Sequence, residues 1–139
     1  MRALGMLLAL ALCAQVTAAE LGRGALPIHL AGPQLAPMRS ADALMLEGRV
    51  AAEEPVTVVV RIDDHASHDY ASRANLERAL PPGAFRWRID LHGLRASDGR
   101  TMRAAEIRQL IIFAPQADAR VEIARVAAVD DVALPAGAK

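Results

Sequence analysis

The chain has 139 residues, room for one domain and not for two. Sixteen Lys and Arg balance sixteen Asp and Glu, so no global field exists to collect nucleic acid or to hold the protein on an anionic membrane. Hydrophobic residues reach 53%, but much of this is Ala and aromatics are only 3%, which keeps any site built by aromatic stacking small.

In chain order, Arg2 supplies a positive start, Ala3 to Cys13 form an apolar run, and Val16-Thr17-Ala18-Ala19 offer small residues before Glu20. That is the pattern of a secretory signal peptide over residues 1–19, cleaved after Ala18 or Ala19. The run is shorter than the roughly 20 residues needed to cross a bilayer, so after cleavage the expectation is a periplasmic or secreted protein with no membrane contact. Leu12 before Cys13 is not the small residue a lipoprotein signal resembles there, so Cys13 reads as a hydrophobe of the leader. A mature chain without cysteine has no disulfide, and its core must hold the fold alone.

Residues 20–42 carry scattered Pro and Gly and read as an irregular lead-in, with a short strand at Pro27 to Leu30. Ala43 to Val50 alternates as a strand. Val56 to Ile62 is rich in β-branched residues and predicts a strand buried on both faces. Glu53-Glu54-Pro55 between them is a turn, which predicts an antiparallel pair. His65 to Leu80 fits neither a strand nor an amphipathic stripe, and predicts a long ordered loop running into a short strand at Leu76 to Leu80.

Phe85 to Leu91 shows the cleanest period of two, with Phe85, Trp87, Ile89 and Leu91 facing a core and Arg86, Arg88 and Asp90 facing water. Met102 to Arg108 predicts a short helix, and Gln109 to Ala114 an interior strand. Arg120 to Val129 predicts a last strand whose alternation slips near Ala124-Arg125, as at a bulge. The expected fold is all-β, a β-sandwich of jelly-roll type with one short helix, over residues 43–132. Residues 133–139 read as a tail or linker.

Two constellations carry chemistry. His65 and His68 at i, i+3, with Asp63, Asp64 and Asp69 around them, are the densest set of metal-ligand types. The competing account is that Asp63 and Asp64 end the strand and cap the following turn. Tyr70, Arg73 and Asn75 offer a hydroxyl on a ring, a planar cationic fork and an amide, which suits a small polar ligand. Equally, Arg73 pairing with Asp63, Asp64 or Glu77 would pin the loop while Asn75 satisfies backbone. Asp130 and Asp131 with Glu20 could share a structural calcium; no other cofactor is expected. No serine sits in a nucleophile elbow and no Gly-rich phosphate loop is present, so an independent enzyme is not expected.

The order Arg61-Ile62-Asp63-Asp64-His65 through Ser67, Tyr70, Arg73 and Asn75, followed by Pro82-Gly83-Ala84-Phe85-Arg86-Trp87 and then Gln109-Leu110-Ile111-Ile112-Phe113, resembles galactose-binding-like jelly-roll modules. The resemblance implies a non-catalytic binding or accessory module for a carbohydrate, another polar ligand or a partner domain, such as the front end of a glycoside hydrolase. Its binding residues would be Asp64, Tyr70, Arg73, Asn75, Arg86 and Arg88. The alternative expectation is a small metal-binding protein or metal-dependent hydrolase using Asp64, His65, His68 and Asp69.

Overall fold

The computed structural model describes residues 16–116 and 118–131. Residues 1–15, with Cys13 and most of the expected signal peptide, and the expected tail at 133–139 lie outside the described residues. Eight strands form in the order β1 (Val16–Ala25), β2 (Ile28–Ala31), β3 (Ala43–Val50), β4 (Val56–Asp64), β5 (Ala74–Leu80), β6 (Gly83–Asp90), β7 (Ile107–Phe113) and β8 (Val121–Asp131). They build two four-stranded antiparallel sheets, β1-β8-β3-β6 and β2-β7-β4-β5. First strand pairs with last, second with seventh, third with sixth and fourth with fifth, which is the connectivity of a jelly roll.

The core lies between the sheets. Leu44 and Leu46 of β3 and Trp87 and Ile89 of β6 face Val58, Val60 and Ile62 of β4 and Leu110 and Ile112 of β7 from the opposite layer, and all are buried. The alternation read in Phe85 to Leu91 is therefore the core face of β6, with Trp87 inside the sandwich. Only Phe85 is half-buried, because its ring lies over Gly48, its direct partner on β3. Gly48 sits where β3 and β8 slip register, Glu47 opposite Arg125 but Gly48 opposite Ile123, so Ala124 is the extra residue of the bulge expected near Ala124-Arg125.

Several expectations need correction. Residues 20–42 are not an irregular lead-in, and the domain does not begin at residue 43. Val16–Ala25 is a ten-residue strand on the edge of one sheet, with Val16 opposite Asp131 and Ala19 opposite Ala128, and Ile28–Ala31 is the edge strand of the other. Gly32–Ser40 is a 3-10 segment that seals one end of the core with Leu35 and Met38. Arg39 fastens that segment to the start of β7, its Nε donating to the Ile107 carbonyl at 2.9 Å. The helix expected at Met102 to Arg108 is a single 3-10 turn, Ala104–Glu106, leading into β7. β3 and β4 are not a hairpin, because the Glu53-Glu54-Pro55 turn carries the chain from one sheet to the other.

Nor is β4 buried on both faces. Its inward side chains Val56, Val58, Val60 and Ile62 are buried, whereas Thr57, Val59 and Arg61 on the outer face are half-exposed. In the same way Ile111 and Phe113 of β7 are half-exposed beside buried Leu110 and Ile112. The second sheet thus carries more apolar surface on its outside than a solvated face needs.

Candidate functional site

β4 ends in two aspartates whose side chains leave the strand on opposite faces. Both are buried, Asp63 at 3% and Asp64 at 2% exposure. A buried carboxylate is tolerated only when its oxygens are paired. Asp64 takes a bidentate grip from Arg100, with Nη1 donating to Oδ2 at 2.9 Å and Nη2 to Oδ1 at 3.0 Å. Its Oδ1 also accepts from the Ala66 N–H at 3.0 Å and the Ser67 hydroxyl at 3.1 Å. Burial pushes the Asp64 carboxyl up, but Arg100, the Ala66 N–H and Ser67 together outweigh it and hold the group below the ordinary carboxylate range.

The rest of the loop is fastened in the same manner. Arg100 also donates to the Ser72 carbonyl at 2.7 Å, and the Ser72 hydroxyl accepts from the backbone N–H groups of His68 at 2.8 Å and Asp69 at 3.0 Å. Asp69 Oδ1 accepts from the Ser72 N–H at 3.0 Å, and the Ser72 hydroxyl and N–H lower the Asp69 carboxyl. Asn75 donates to the Tyr70 carbonyl at 2.8 Å and to the Ser97 hydroxyl at 2.9 Å. Among the described residues no buried side-chain nitrogen or oxygen lacks a partner. The capping account describes Asp64, whose Oδ1 accepts the Ala66 N–H, but not Asp63, and the pinning account describes Asn75.

Asp63 is held differently. Arg61 and Arg73 each reach it through Nε, Arg61 to Oδ1 at 3.3 Å and Arg73 to Oδ2 at 3.1 Å. Of the partners open to Arg73, then, the one it takes is Asp63. Both arginines line a cleft of about 290 Å³ on the outer face of the second sheet, together with Val59, Tyr70, Asn75, Glu77, Phe113 and Pro115. The strand register explains the gathering. Arg61 stands opposite Asn75 and Ile111, and the next outward rung sets Val59 between Glu77 and Phe113. The half-exposed Val59 and Phe113 form the floor, and Tyr70, 68% exposed, stands at the margin.

Three of the residues expected to bind a ligand, Tyr70, Arg73 and Asn75, therefore meet at one cleft. The other three do not join them. Asp64 is consumed by the pin. Arg86 and Arg88 lie on the outside of the first sheet, with a sandwich about 10 Å thick in between. There Arg86 and Arg125 share Glu47, and Arg88 grips both oxygens of Asp131 and also Asp90. Arg88 in turn holds Asp131 below its ordinary range.

The metal sets do not form. His65 and His68 are exposed, His68 Nδ1 lies 3.1 Å from the Ala66 carbonyl oxygen, and Asp64 and Asp69 are turned to Arg100 and Ser72. The calcium set fails too, because Glu20 stands opposite Ala127 while Asp131 is taken by Arg88. Among the described residues no group of three or more His, Cys, Asp or Glu is placed to hold a metal ion. Arg61 and Arg100 were not foreseen as site residues. Arg61 has a signal, a cation inside an apolar strand two residues before a buried acid. Arg100 has none nearer than the demand of Asp64 for a partner. Comparison with protein-family models, with curated proteins and with solved structures found no match.

Proposed function

We propose that this chain is an exported, non-catalytic binding or accessory module that takes a carbohydrate or other polar ligand in the cleft of the second sheet. One observation carries the reading. Arg61 and Arg73 spend Nε on Asp63, among the described residues no hydrogen bond occupies their terminal nitrogens, and both residues line a cleft with an apolar floor and an exposed tyrosine. Few polar groups converging on an apolar concavity, on a scaffold already rigid, is how small-ligand sites are built. The resemblance of the Asp63 to Asn75 segment to galactose-binding-like modules supports the same reading, and the apolar leader before Glu20 supports export.

The test is a glycan array followed by amide-resolved NMR titration of each hit. Shifts gathered on Val59, Arg61, Tyr70, Asn75 and Phe113, and lost in Tyr70→Ala, are the expected result. Shifts gathered instead around Arg86 and Arg88, or a partner domain that binds equally well to Tyr70→Ala, would move the site off this face.

A further inference from the structure

We infer that the ligand of this cleft is an anionic saccharide, whose carboxylate or sulfate group is taken by the terminal nitrogens of Arg61 and Arg73; the inference rests on the cleft being the ligand site. Asp63 is a single carboxylate between two guanidiniums, so these three groups sum to one positive charge, and Glu77, the other acid lining the cleft, stands one outward rung away. The two Nε contacts fall on the two oxygens of one buried group, which sets the guanidiniums side by side. Their remaining N–H groups are planar donors, the geometry that matches a carboxylate or a sulfate edge.

The side chains of Arg61 and Arg73 are only 26% and 23% exposed, so water screens an incoming anion less than on an open surface. Free anions of other kinds fit the remaining walls poorly. Val59 and Phe113 present apolar surface next to the charge, which suits the C–H face of a sugar ring. Glu77, exposed on the neighbouring rung, offers acceptors for hydroxyls rather than for a second anionic group. A volume of about 290 Å³ stands at the small end of ligand pockets and holds a ring more readily than an extended chain.

The experiment is calorimetric titration of the intact chain with glucuronate, galacturonate, their methyl esters, glucose, galactose and glucose 6-sulfate, at low and high salt. The acids should bind at least tenfold tighter than the esters and neutral sugars, with the advantage shrinking in salt. Uronate ahead of sulfate assigns the carboxylate, and the reverse assigns the sulfate ester. In Arg61→Gln one guanidinium still pairs with Asp63, so the fold is kept and the preference for acids should fall toward unity. Esters and neutral sugars binding as tightly as the acids would overturn the anionic ligand while leaving the cleft a sugar site. Absence of binding by every sugar, with no shifts at the cleft, would overturn both.

Discussion

Replacing Asp64 by Asn removes one charge from the centre of the loop pin and changes little else in shape. The native carboxylate, 2% exposed, accepts from both terminal nitrogens of Arg100, from the Ala66 N–H and from the Ser67 hydroxyl. An amide has one acceptor oxygen and one donor nitrogen, so in either orientation its NH2 meets a donor. A hydrogen bond to a charged group contributes about 1.5–3 kcal/mol, and breaking a fully buried pair costs about 3–5 kcal/mol. Water reaching the Arg100 side softens the loss, which sets the expected destabilisation for Asp64→Asn near 2–3 kcal/mol. For a domain of this size that is a melting-temperature drop of roughly 8–12 °C.

The sign with pH follows from the direction of the shift. The folded carboxyl titrates below its unfolded value, so its contribution is complete above about pH 4 and is lost as pH falls through the folded pKa. Urea unfolding of both proteins, followed by the fluorescence of Trp87, should show a gap that is constant from pH 5 to 7 and closes toward pH 2. A gap below about 1 kcal/mol at neutral pH, or one unchanged on acidification, would refute the role given to Asp64.

Three further outcomes are expected. Gly48→Ala would set a Cβ 2.2 Å from the Glu122 carbonyl oxygen and 3.1 Å from Ile123 Cα, backbone that cannot swing aside, so urea unfolding should record a loss of at least about 2 kcal/mol. Micromolar zinc should leave the melting temperature unchanged; a rise that disappears in His65→Ala/His68→Ala would restore the metal reading. A chain starting at Glu20 should fold but melt lower, because the rungs from Val16 to Ala19 no longer cover Ala128 to Asp131, and thermal melts of the two lengths measure the difference.

The residues differ in how openly they announced these positions. Strands with strong alternation or β-branched runs, Val56 to Ile62 and Phe85 to Leu91, were legible because each pattern is local. The bulge at Ala124 was legible for the same reason. β1 was not, since its Ala and Gly are poor strand formers and it is a strand only because β8 lies beside it. The Glu53-Glu54-Pro55 turn was visible, but a turn does not state which sheet receives the next strand. At the site, opposite charges close in sequence showed that Arg73 would pair with Asp63, Asp64 or Glu77 without showing which, whereas Arg100 meets Asp64 from 36 residues away. Arg86 and Arg88 lie on the other sheet from Tyr70, Arg73 and Asn75, which the sequence could not show because alternation reveals that two residues share a face without revealing which face of the molecule it is.

The placement of β8 has a consequence for how the molecule is made. It is the last of these eight strands to be synthesised, yet in its sheet it lies between β1 and β3. Until it arrives, β1 has no neighbour to hydrogen-bond and half of the core has only the β3–β6 ribbon for a lid. Assembly from the N-terminus during translation therefore cannot finish before β8 is made, and the dependence on distant partners makes closure slow. The sandwich thus stays open on one side until its eighth strand is in place.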